Sequence, residues 1–247
     1  MTQIGVEVDP EKTRQGIYAR VAGFLFLWLI VTGVAGLLIE SHIVGSGTFA
    51  ETAKIVVASE HLYRLALCTE LIETMSALVL AFALYVTLKP VDQLLAQIAM
   101  YWRLGESFIG GVGVMFGFLR LHLYISQQSN GGGAASGQAE VLVDLLGHAG
   151  SNVSAIFFSI GSILFFYLFL KSKYIPGIIS AFGLFASALV TMMLFGSLIF
   201  PEYAARLMYG WAPMAIAEVT TGIWLMLFAV NTKAPNGPLL SSQVRQD

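Results

Sequence analysis

Long apolar runs separated by polar connections make up most of the chain. Six of them approach or exceed the ~20 residues that an α-helix needs to cross a hydrocarbon core. They cover residues 17–39, 62–88, 94–125, 141–170, 175–200 and 209–230. Lys89-Pro90 stops the second run and Pro201 ends the fifth, because proline cannot continue a helical hydrogen-bond ladder. None of the runs alternates with a period of two, which excludes barrel strands. The pattern predicts an all-α, polytopic membrane protein with six transmembrane helices. A polar tail (1–16) leads into a single six-helix bundle (17–231), and a second tail (232–247) follows. The first run exceeds the ~7–15 residues of a signal-peptide core, and no small-residue cleavage site precedes the next polar loop. It reads as an uncleaved signal-anchor.

Two connections are long. In residues 40–61, Phe49, Ala53, Val56 and Val57 recur at helical spacing, with Glu51 and Lys54 elsewhere on the wheel. This predicts a short amphipathic helix on the membrane surface, in the first outer loop. The stretch SQQSNGGGAASG (126–137) reads as a flexible loop. No strand precedes its glycines, so they do not form a phosphate cradle. Within the third run, Gly110, Gly113 and Gly117 lie near one face. The Gly113-x-x-x-Gly117 pattern predicts close approach of a neighbouring helix.

Composition agrees with this class. The chain is 57% hydrophobic and 11% charged, against about 25% charged in soluble domains. Its net charge of −2 excludes a nucleic-acid partner; the lipid bilayer is the implied one. Basic residues set the orientation. With the N-terminus inside, Lys12, Arg14, Arg20, Lys89, Lys171, Lys173, Lys233 and Arg245 fall inside, against Lys54, Arg64, Arg120 and Arg206 outside. The expectation is therefore N-in/C-in. The one cysteine, Cys68, can form neither an internal disulfide nor a four-thiolate zinc site, and it reads as a small buried hydrophobe.

Several segments carry a family likeness. ARVAGFLFLWLIVTGVAG, YRLALCTELIETMSALVLAFALYVTLKPVDQLLA and WRLGESFIGGV resemble the DUF4386 family of bacterial membrane proteins. KSKYIPGIISAFG and AIAEVTTGIWLMLFAV resemble its later segments. The most specific pieces are Arg103-x-x-Glu106, the Tyr174-x-Pro176 turn, and Glu218 upstream of Trp224. The resemblance implies a compact helical bundle in a bacterial cytoplasmic (inner) membrane. It implies no activity and names no cofactor.

Chemistry has to be sought in the charges inside the runs. Glu70, Glu73, Glu106, Glu218 and Arg103 all lie there, and each costs at least ~2.5–3.5 kcal/mol on insertion scales. At ~1.5 Å per residue, Glu70, Glu73 and Glu218 lie ~14–18 Å from the outer end, with Glu106 and Arg103 ~24–28 Å deep. Glu70 and Glu73 share a helix face, as do Arg103 and Glu106. Arg103 can pair with Glu106 or snorkel toward the inner interface. Four acids against one base form an excess that protonation or a bound cation would relieve. All five side chains are expected to face one interior cavity.

Asp144, His148 and Asn152 recur every four residues, with Ser159 and Ser162 further along, as in the lining of a water-filled path or in ordinary helix–helix hydrogen bonding. His42, His61, His122 and His148 gather near the outer face, close to Glu40, Glu60 and Asp144. They are weak metal candidates, because no two form a same-helix ligand pair.

Three functions stay open. The pocket could bind or translocate a small cationic solute or protons, through Glu70, Glu73, Arg103, Glu106, His148, Asn152 and Glu218. The protein could be an intramembrane enzyme, lipid- or metal-dependent, using His148 with Glu70 or Glu73. Or it could be a non-catalytic subunit of an oligomer or membrane complex.

Overall fold

The computed structural model describes residues 10–43, 48–130, 134–204 and 208–230. Among the described residues, seven α-helices follow one another. They are α1 (Pro10–Ile43), α2 (Phe49–Ala58), α3 (Glu60–Leu88), α4 (Gln93–Asn130), α5 (Ala134–Ser172), α6 (Gly177–Ile199) and α7 (Trp211–Phe228). Short 3₁₀ turns at Pro201–Tyr203 and Met208–Gly210 join the last two. All of these except α2 are long and apolar enough to cross a membrane, and no strand occurs among the described residues. Large apolar side chains such as Val31, Met115, Ile178 and Met192 remain exposed, as membrane-spanning helices require on their lipid side.

Helix limits follow local chemistry. At the start of α2, Thr48 and Glu51 form a reciprocal capping box. The Thr48 N–H donates to Glu51 Oε2 at 2.8 Å and, with the Thr48 hydroxyl, holds this carboxyl below its usual range. Asp92 caps α4 by accepting from the Leu95 N–H at 3.1 Å. That bond first, and then Lys171 at 3.2 Å, keeps the Asp92 carboxyl below its ordinary value. Lys173 adopts a left-handed φ of 56°, which ends α5 before the Tyr174-x-Pro176 turn.

Three expectations about the connections change. Residues 126–130 extend α4 and α5 resumes at Ala134, so most of the expected flexible loop is helix; residues 131–133 lie outside the described set. Serine hydroxyls fold back onto the helix there, with Ser126 donating to the His122 carbonyl at 2.9 Å. α2 exists, but its apolar face does not lie on a membrane surface. Ala53 and Val56 are buried against Ile43, Tyr63, Leu121 and Tyr124, and Phe49 stacks at 5.0 Å on Tyr124. Amphipathic spacing reports an apolar face, and here the bundle itself covers that face. Cys68 is exposed rather than buried.

The chain divides into two compact units: Met1–Leu27, Val79–Trp102 and Ser159–Asp247 form the first, and Trp28–Leu78 with Arg103–Phe158 form the second. Helices α1, α3, α4 and α5 contribute to both. In the first unit, α1 and α7 meet backbone to backbone at Gly23 and Gly222. A Cβ on Gly23 would stand 2.7 Å from the Gly222 carbonyl oxygen and 2.9 Å from the Leu225 carbonyl carbon. The Gln15 side-chain amide donates at 2.7 Å to the Thr87 carbonyl, tying α1 to α3. Ser187 of α6 donates to its own helix at the Gly183 carbonyl (2.7 Å) and touches Met214 of α7.

Candidate functional site

The second unit holds a cavity of about 460 Å³. Its walls come from α1, α3, α4 and α5. Among its lining residues are Glu70 and Glu73 from α3, Arg120 from α4, and Thr32 from α1. Ile43, Tyr63 and Leu67 belong both to this wall and to the apolar cluster under α2. The short helix thus packs against the back of the cavity's apolar wall.

Glycines give the cavity its room. A Cβ on Gly113 would meet nothing within 4 Å, and neither would one on Gly36. A Cβ on Gly33 would stand 3.3 Å from Glu73 Oε1, and one on Gly147 would stand 3.1 Å from Arg120 Nη2. Each of these charged tips rests over a residue with no side chain. The expected close packing at Gly113 is therefore corrected: Gly113 faces open space. Gly117 meets Leu67 and Gly110 meets Thr74 instead. The face was legible in the sequence, but its neighbour was not.

The predicted charges fall into three places. Glu70 and Glu73 line the cavity, and Glu73 is within electrostatic reach of both Glu70 and Glu106. Arg103 Nε stands 3.1 Å from Glu106 Oε2. Arg103 is buried, and its guanidinium lies 4.5 Å from the centre of the Phe158 ring. It does not snorkel. Ser154 of α5 donates to the Glu106 carbonyl at 3.0 Å, so backbone and side chains join α4 to α5 at this level. Glu218, half-buried on α7, belongs to the first unit, as do the buried Ser159 and Ser162. Asn152 is half-buried in the second unit. The side chains of Glu40, Asp144 and His148 lie outside the described residues.

The remaining histidines, His42, His61 and His122, are exposed. Glu60 is engaged by Arg64 at 2.7 Å. Among the described residues, no group of three or more His, Cys, Asp or Glu is placed to hold a metal ion.

Sequence reasoning missed Arg120, which counted there only as an outer-side charge near the end of the third run. One signal was available: Gly113, Gly117 and Arg120 stand at i, i+4 and i+7, on one helix face. With Arg120 inside, the cavity wall carries both signs of charge. It can hold a cation against two carboxylates, and it can present a fork of N–H donors to an anion.

The model of a family described as a domain of unknown function, DUF4386, matches residues 21–229. Comparison with curated proteins gives no match, and comparison with solved structures gives none.

Proposed function

The chain belongs to the DUF4386 family, a family of unknown function, and on that premise we propose that this multi-pass membrane protein binds a small cationic solute or protons in the cavity of its second unit. One observation carries the reading: Glu70 and Glu73 line a cavity of about 460 Å³ in helices long and apolar enough to span a bilayer. That volume lies within the ~300–1,000 Å³ usual for small-molecule sites. Carboxylates at such depth are costly unless they are compensated, and a bound cation or proton compensates them. Glu73 and Glu70 are the ligands, and the Arg103–Glu106 pair fixes the wall of α4 beside them.

The basic residues near the helix ends support an N-in/C-in orientation in a bacterial inner membrane. Arg120, a residue of the cavity wall, leaves the outer side with fewer interfacial cations and strengthens that asymmetry. With this orientation the cavity belongs to the outer half of the membrane, and transport would follow if it also opened inward.

The test is choline binding to the purified protein in nanodiscs, measured by calorimetry alongside proton release in weakly buffered solution. Wild type should bind choline or exchange protons. Glu73→Gln should lose at least ~10-fold in affinity, which corresponds to ~1.4 kcal/mol, and should keep its melting temperature. If wild type shows neither binding nor proton exchange, the polar groups serve packing, and the assembly-subunit reading replaces this one.

A further inference from the structure

We propose that the cavity ligand is a small zwitterion, an ammonium carboxylate, held with its cationic end at Glu70 and Glu73 and its anionic end at Arg120. The inference rests on the cation-binding reading above and narrows it to one chemical class.

The order of charges along the cavity carries it. Gly117 of α4 faces Leu67 of α3, and Gly110 faces Thr74. The two helices therefore run antiparallel in constant register. In that register Arg120 is level with residue 64, about 9 Å from the level of Glu70 and ~14 Å from that of Glu73, at ~1.5 Å per residue. Extended Arg and Glu side chains narrow those separations by several ångströms. What remains suits the span between the charges of a small ammonium carboxylate, together with its hydrogen bonds. A positive end thus sits on the outer side of a negative one, within a single cavity.

Both ends are built with room for their charges. Gly147 leaves space beside the Arg120 guanidinium, and Gly33 leaves space beside the Glu73 carboxylate. Between them Gly113 and Gly36 border open volume. A site selecting a simple cation has no use for an arginine in its wall, since the guanidinium repels the ligand. A zwitterion uses both signs: the carboxylate takes parallel N–H donors from the planar fork, and the ammonium takes the two acids.

Three probes of nearly equal shape separate the cases. Glycine betaine carries both charges, choline carries only the cation, and 3,3-dimethylbutyrate carries only the anion. Calorimetry in nanodiscs should rank betaine at least ~10-fold tighter than choline, with dimethylbutyrate weakest, a preference worth ~1.4 kcal/mol. Arg120→Gln should remove the preference for betaine while choline binding persists or improves. Arg120→Lys should retain part of it. Gly147→Ala, whose Cβ crowds the guanidinium tip, should reduce that preference ~3-fold, about 0.7 kcal/mol.

Equal affinity of wild type for choline and betaine overturns the zwitterion and leaves the cation reading intact, with Arg120 as a counter-charge only. A preference that survives Arg120→Gln overturns it as well. Binding of neither choline nor betaine overturns the zwitterion, and absence of proton exchange as well overturns both readings together. If Arg120→Gln fails to fold, the wild-type ranking and the Gly147→Ala variant still decide.

Discussion

Glycine has opposite uses in the two units. In the first, Gly23 and Gly222 bring α1 and α7 into backbone contact. In the second, Gly33, Gly113 and Gly147 hold space open beside or between charged side chains. The same missing side chain yields a seam in one unit and a cavity in the other. A small residue on a membrane helix means only that something else can come close. The facing helix decides whether that is a backbone, a carboxylate or a ligand.

The sharpest way to break this contrast is to add atoms at each kind of glycine. Gly23→Val drives its side chain into the Gly222 and Leu225 backbone, which cannot turn away. It should cost at least ~3 kcal/mol, the upper end of ordinary overpacking. Gly113→Ala meets open space and should stay within ~0.5 kcal/mol of wild type. Thermal or denaturant unfolding of the detergent-solubilised variants measures both. Equal losses would erase the distinction between seam and cavity.

Next in size is the ion pair. Glu106→Ala removes the carboxylate 3.1 Å from the buried Arg103 and should cost about 2–3 kcal/mol, the range for depriving a buried polar or charged group of a partner. Ser187→Ala in the first unit, where the hydroxyl back-bonds to Gly183 and touches the Met214 sulfur, should cost less than ~1 kcal/mol. The reverse ranking would mean that polar groups matter more in the first unit than in the unit that holds the cavity.

Function should separate from stability at the cavity wall. Glu73→Gln keeps shape and loses charge, so choline affinity should fall at least ~10-fold with the melting temperature unchanged. A matching loss of stability would assign Glu73 to packing.

The smallest effect lies outside the membrane. The Leu95 N–H and Lys171 hold the Asp92 carboxyl below its usual value. A depressed pKa contributes stability that is fully present above the unfolded-state pKa and is lost as pH falls through the folded one. Asp92→Asn should therefore lower stability slightly at neutral pH, with the difference from wild type closing as pH falls, so that the acid limb of the stability–pH curve is flatter. An unaltered acid limb would show that the cap contributes nothing.

Much of this protein was written in one dimension. Run length fixed the number of crossings, because a bilayer of given thickness demands ~20 apolar residues. Phe49, Ala53, Val56 and Val57 marked α2 through their helical spacing, and the Arg103–Glu106 pair followed from a spacing of three. These are local facts, set by contacts within a turn or two of one helix. Which faces meet was not legible. The Gly113-x-x-x-Gly117 spacing marked a small-residue face, yet Gly113 borders open space while Gly117 and Gly110 meet α3, and Gly23 with Gly222 form the backbone seam. Arg120 counted only as an outer-side charge until α1, α3 and α5 stood around it as a wall. Glu70 and Glu73 joined that wall while Glu218 went to the other unit, although depth along each helix put all three at one level. Depth is one coordinate, counted at ~1.5 Å per residue. Rotation about the helix axis and the choice of neighbour are the others, and only the packing of side chains across helices sets them.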